Sequence, residues 1–119
     1  MTGVTTLLSP NPAKGQQTAT IGTEHTLAST TSIGSDAALE LDVDLSAMVD
    51  GDVVELRIYA NANGVASDRV AYFAAFANKQ SIELAVSIPK IIPAGGRFKA
   101  TLKQTAGTGR AFDWQVVQP

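Results

Sequence analysis

The stretch Asp52-Val-Val-Glu-Leu-Arg-Ile-Tyr59 alternates with a period of two: Val54, Leu56 and Ile58 fall on one side, Val53, Glu55, Arg57 and Tyr59 on the other. This is the pattern of a strand with one face in a core and the other against water or a partner. Asp50-Gly51 marks a turn before it and Asn63-Gly64 a hairpin turn after it. The rest of the chain repeats the theme.

Residues 18–21 and 24–28 are short strand candidates on either side of Gly22, and 30–36 is a loop. Residues 37–43 set Leu39, Leu41 and Val43 against Glu40 and Asp42, with Asp44 continuing the acidic side. Asp44 is placed to cap a single helical turn over 45–48, which is too short to be a packing layer. Over 68–77 both faces are apolar: Val70, Tyr72, Ala74 and Phe76 on one, Ala71, Phe73, Ala75 and Ala77 on the other. Two apolar faces predict a central strand covered on both sides. Residues 80–88 alternate again, with Ile82, Leu84, Val86 and Ile88 expected inward. Pro89 and Pro93-Ala94-Gly95-Gly96 then stop the pairing and turn the chain. Residues 97–104 direct Phe98, Ala100 and Leu102 inward; Gly107-Thr108-Gly109 is a tight turn; 110–117 places Phe112, Trp114 and Val116 on one face.

Seven or eight short antiparallel strands with almost no helical periodicity bury their faces most simply as two packed sheets. The fold class is therefore all-β, an antiparallel β-sandwich of jelly-roll or immunoglobulin-like type. Residues 1–17 show no sustained period and read as an extended N-terminal arm, leaving 18–119 as the sandwich domain. Ordering 17 backbone positions costs roughly 17–34 kcal/mol. Burying Val4, Leu7 and Leu8 returns about 5–9 kcal/mol. An ordered arm thus needs a second surface, and we expect it to lie on another subunit, anchored by Val4, Leu7 and Leu8.

At 119 residues, 45% hydrophobic and 17% charged, the chain is one globular domain with a real core. It has no cysteine, which removes disulfides and thiolate metal sites. A net charge of −2 argues against a nucleic-acid partner, and no apolar run is long enough to span a membrane. The N-terminus lacks the basic start and apolar core of a signal peptide. Acidic residues crowd into 36–55, whereas Lys90, Arg97, Lys99, Lys103 and Arg110 dominate the last thirty positions. Such faces are either solvated or matched across an interface.

Residue chemistry points to no reaction. His25 is the only histidine, without a visible nucleophile or further ligands. Asp42, Asp44, Asp50 and Asp52 resemble a calcium loop, but Ala47 stands where the turn needs glycine and Val53 where the last ligand should be glutamate. Paired-carboxylate hydrolysis would draw on the same residues with no spacing to assign the roles. Gly107-Thr-Gly-Arg110 enters a strand rather than a helix, so it is a hairpin turn and not a phosphate loop. Trp114 with Tyr59 and Tyr72 would suit a sugar platform, but Trp114 alternates with core positions. No Asn-x-Ser/Thr acceptor occurs. The chain is read as neither an enzyme nor a holder of metal or cofactor.

Two segments together, Asp50-Gly-Asp-Val-Val-Glu-Leu-Arg-Ile-Tyr59 and Thr101-Leu-Lys-Gln-Thr-Ala-Gly-Thr-Gly-Arg-Ala-Phe-Asp-Trp114, resemble those of small capsid decoration (cement) proteins, virion structural proteins of tailed bacteriophages. The likeness covers roughly residues 24–117; Asp113 stands where relatives often have proline before the tryptophan. The resemblance implies binding to the major capsid protein on the outer surface of the virion, without catalysis. It also implies self-association, as a homotrimer first and a dimer or monomer otherwise. Arg57, Tyr59, Arg97, Lys99 and Arg110 are the expected polar contacts. The alternative from another class is a carbohydrate- or receptor-binding module of a head fibre or adhesin.

Overall fold

The computed structural model describes residues 13–30, 36–62 and 66–118. Val4, Leu7, Leu8, the Asn63-Gly64 turn and most of the 30–36 loop lie outside them. Among these described residues nine strands follow in order: β1 (Lys14–Thr18), β2 (Glu24–Thr30), β3 (Ala37–Asp44), β4 (Val53–Ala60), β5 (Arg69–Ala77), β6 (Leu84–Val86), β7 (Lys90–Ile92), β8 (Phe98–Ala106) and β9 (Ala111–Val117). One sheet runs β1-β9-β3-β6, with β7 also on β3; the other runs β2-β8-β4-β5. Every pairing is antiparallel.

β6 and β7 meet the same partner in succession, Val86 opposite Asp42 and Lys90 opposite Leu39. They are one strand interrupted at Pro89, which has no N–H to give to the ladder. Counted so, the sandwich has eight strands. Of the strands adjacent in sequence, only β4 and β5 pair in a hairpin; most other connections cross between the sheets. That double Greek key is the jelly roll, so the structure selects it over the immunoglobulin-like order.

The alternating strands bury the faces that their sequence predicts. Leu39, Leu41 and Val43 of β3, Val54, Leu56 and Ile58 of β4, Phe98, Ala100 and Leu102 of β8, and Phe112, Trp114 and Val116 of β9 are all core residues. The 45–48 turn forms as expected: Asp44 Oδ1 accepts the Ser46 N–H at 2.9 Å, and the Met48 N–H donates to the Leu45 carbonyl at 3.0 Å. It also contributes to the core, because Leu45 and Met48 are themselves buried.

Three readings change. β5 is not central but the edge of its sheet. Its inward Tyr72, Ala74 and Phe76 are half-buried, while Ala71, Phe73, Ala75 and Ala77 face solvent. Over 82–88 the faces are inverted: Ile82, Leu84, Val86 and Ile88 are 52–79% exposed, and Ala85 and Ser87 point inward. The reason is local. The Leu41 N–H donates to Ser87 Oγ at 2.9 Å, and buried Leu45, whose N–H bonds the Glu83 carbonyl, occupies core beside the start of β6. Only small side chains fit on that side. Finally, the sheet begins at Lys14, since β1 pairs with β9 through residues read as arm from the sequence.

Candidate functional site

The outer face of the four-stranded sheet carries the densest polar and aromatic arrangement. β4 turns Glu55, Arg57 and Tyr59 outward because Val54, Leu56 and Ile58 are held in the core. The register sets Arg57 between Thr101 of β8 and Phe73 of β5, and Tyr59 opposite Lys99. Arg57 lies 4.8 Å over the Phe73 ring, and its Nη2 is 2.9 Å from Glu55 Oε1. The Lys99 ammonium sits 4.6 Å over the Tyr59 ring. The Tyr59 hydroxyl donates to Glu24 Oε2 at 2.6 Å, and Thr101 Oγ1 donates to the same oxygen at 2.7 Å.

Each of these side chains fixes the next, so the face is preorganised rather than floppy. Glu24 shows it electrostatically. Burial pushes its carboxyl up, but the bonds from Tyr59 and Thr101 and the charges of Arg57 and Lys99 outweigh this and hold it below the usual range. Tyr59 is pushed up, first by its bond to Glu24 and then by burial. Arg57 Nη1 is covered without a hydrogen-bond partner in the described residues.

Arg57, Tyr59 and Lys99 are therefore brought together; the other two expected contacts are not. Arg97 straps the β4–β5 connection: its Nε is 3.1 Å from Asp68 Oδ1 and its Nη2 donates to the Ala66 carbonyl at 2.8 Å. Arg110 Nε bonds the buried Asp52 Oδ2 at 2.9 Å.

That second constellation joins the two segments that carry the family resemblance. Asp52 also accepts the Val49 and Thr108 N–H groups at 3.0 and 3.3 Å. Gly107, at φ +91°, lies so close that a Cβ there would collide with Asp52 Oδ1. Gln104, fully buried, spans the β8–β9 turn: its Nε2 donates to the Ala106 and Thr108 carbonyls at 3.0 and 2.8 Å, and its Oε1 accepts the Arg110 N–H at 3.1 Å. The familiar residues form a structural lock, not a reaction centre. Gln104 went unremarked in the sequence; its place three residues before a glycine turn was the available signal.

The remaining candidates disperse. The Thr20 N–H donates to His25 Nε2 at 3.0 Å, tying the β1–β2 connection. Asp42 accepts from Gln115, Asp44 caps Ser46, Asp50 accepts the Lys79 N–H and Asp52 sits in the lock. No group of three or more acidic or histidine side chains among the described residues can hold a metal ion. Asp42, Asp44 and Asp113 line an open recess of about 140 Å³ with Leu84, Trp114 and Gln115 on the outer face of the other sheet. Glu40, on the same strand as Asp42, is pushed up, first by side-chain hydrogen bonding with Asp42, then by burial and the Asp42 charge. Asp42 Oδ1 is buried without a hydrogen-bond partner among the described residues. Trp114 is buried in one sheet and Tyr59 lies on the outer face of the other, so no shared aromatic platform forms.

No family model matches the chain, and no curated protein does. Among solved structures, a chain from T=1 particles derived from infectious bursal virus is similar at 14% identity and TM-score 0.50, over 92% of this chain. A chain from the Gx strain of infectious bursal disease virus aligns at 15% identity and TM-score 0.47, over 87% of this chain. This chain spans 29% and 28% of their lengths. At such identity the first likeness is one of fold.

Proposed function

We propose that this protein is a capsid decoration (cement) protein of a tailed bacteriophage, binding the outer surface of the major capsid protein shell through the Arg57–Tyr59–Lys99 face. The observation that carries the reading is that face itself: two cations stacked on aromatic rings, with Arg57 paired to Glu55 and Tyr59 bonded to Glu24, on the outer side of one sheet. Arg and aromatic anchors of this kind dominate protein–protein contacts, because little side-chain freedom remains to be lost on binding. The resemblance of the two locked segments supports the same reading, as does a jelly roll of the kind found in the bursal virus T=1 particle chain. The arm carrying Val4, Leu7 and Leu8 adds a second attachment. A protein that binds the assembled lattice and not free subunits shifts the equilibrium toward the shell, and repeated copies gain avidity.

The test is co-sedimentation with capsids lacking the protein, using the full chain and a version starting at Ala13, which keeps β1 intact. Saturable binding by the full chain is expected, weakened when residues 1–12 are removed. Absence of binding by both overturns the proposal and turns attention to glycans, the ligand of the alternative reading.

A further inference from the structure

The two flanks of the sandwich are built differently. At one, β1 and β2 present Lys14, Gln16, Gln17 and Glu24, polar side chains of the kind that blunt an exposed sheet edge. At the other flank the consecutive strands β5 and β6 end their sheets. There β5 has no such protection: from Val70 to Ala77 it carries neither charge nor proline, and among the described residues it pairs only with β4. Val70 and Phe73, each 50% exposed, stand on the outer face of the four-stranded sheet, while Leu84 and Val86 of β6, 53% and 52% exposed, belong to the outer face of the other sheet. Among the described residues, seven of the nine large apolar side chains left exposed lie in β5 or in the 82–91 segment, so both strands that end this flank are apolar.

An uncharged, unpaired strand edge is a row of N–H and C=O groups that an antiparallel strand completes, and an identical strand is complementary to it. We propose that β5 pairs antiparallel with β5 of a second copy about a two-fold axis at Ala74, joining two four-stranded sheets into one of eight. In that register Phe73 of each copy lies across from Ala75 of the other, and Tyr72 across from Phe76. Moving the axis to Phe73 sets two phenyl rings against each other; moving it to Ala75 sets Tyr72 against Asn78. Only the Ala74 register matches large to small outside and aromatic to aromatic inside.

Size is compatible. Nine residues of strand are about 30 Å long and two stacked sheets about 20 Å deep, giving about 600 Å² per copy against the ~800 Å² per partner of a standard interface. An isologous contact consumes both edges and closes at two. The assembly is therefore a dimer, where the family resemblance implies a homotrimer. The contact needs no capsid and stands apart from the proposed capsid role.

The chain has no cysteine, which gives a clean test. Sedimentation equilibrium of the full chain should give twice 12.4 kDa. The double variant Ala71→Lys/Ala75→Lys, checked for native circular dichroism, should be monomeric. Oxidation of mixed Phe73→Cys and Ala75→Cys proteins should give a linked heterodimer in large excess over the homodimer of either alone. A monomeric wild type, an assembly that survives the double lysine variant, or equal cross-linking of each cysteine variant with itself overturns the proposal. So does a trimer that removal of residues 1–12 abolishes, which would give the edge to the arm.

Discussion

Arg110 Nε lies 2.9 Å from Asp52 Oδ2, bonding the turn before β9 to the residue just before β4. Asp52 is 1% exposed, so an uncompensated change there is costly. Replacing it by alanine leaves the half-buried Arg110 guanidinium and the Val49 and Thr108 amides without their acceptor. A loss of about 3–5 kcal/mol is expected from urea denaturation. The pH dependence has a definite sign. Burial pushes the carboxyl up, but the bonds from Arg110, Val49 and Thr108 prevail and its pKa falls below the usual range. Its contribution is thus complete above the unfolded-state pKa and is lost as pH falls through the folded one. Asp52→Asn should flatten the acid limb of the stability curve; an unchanged limb would show that the lock does not act through charge.

Gln104 tests the other half of the lock. Its amide satisfies three backbone groups across the β8–β9 turn while it is itself 0% exposed. Gln104→Leu keeps the volume and removes every bond, at roughly 1–3 kcal/mol per backbone group left buried and unsatisfied. Unfolding midpoints should fall by an amount comparable with Asp52→Ala. Gly107→Ala should be similarly harmful, because φ +91° and the neighbouring Asp52 side chain both exclude a Cβ. If both variants melt like the wild type, the turn is not what ties β8 to β9 across the two sheets.

These residues also show what the sequence could convey. A two-residue period is unambiguous when polar and apolar residues alternate, and β3, β4, β8 and β9 bury the sides so marked. β5 offered apolar residues on both sides, and periodicity cannot distinguish a strand covered twice from an edge awaiting a partner. Over 82–88 the aliphatic row was clear, but its direction depended on whether the core beside β3 had room. Leu45 and the Ser87–Leu41 bond, distant in sequence, settle that. The Arg57–Phe73 and Lys99–Tyr59 stacks depend on cross-strand register, which no single strand contains. Arg97 and Arg110 looked equally available as charges, and only their partners reveal that both are committed.

Glu40 gives a pH prediction of opposite sign. Its carboxyl is pushed up by the hydrogen bond with Asp42, by burial and by the Asp42 charge. The folded state then retains a proton that the unfolded state has released, so stability falls as pH rises from the unfolded-state pKa to the folded one. Glu40→Gln should be more stable than the wild type at neutral pH, with the two converging in acid. Thermal melts from pH 3 to 7, roughly spanning the carboxylate range, test this. Parallel curves at all pH values would show that the Glu40 carboxyl is not pushed up by folding.

The five polar side chains expected to meet a partner should separate by phenotype. Arg57, Tyr59 and Lys99 lie on one preorganised face, so Arg57→Ala or Lys99→Ala should weaken capsid binding about tenfold, roughly 1.4 kcal/mol, with little change in folding. The loss should shrink as salt is raised, since the cations act partly through their charge. Tyr59→Phe keeps the ring beneath Lys99 and loses only the bond to Glu24, costing about 1 kcal/mol of stability. Arg97 is about one-third exposed and paired with Asp68, so Arg97→Ala should cost under about 1 kcal/mol of stability and leave binding alone. Arg110→Ala strips the buried Asp52 of its counter-ion and should destabilise strongly without a specific binding defect. Binding titrations beside denaturation curves separate the two groups. Equal binding losses for Arg97→Ala and Lys99→Ala, with folding intact, would place the partner elsewhere on the sandwich.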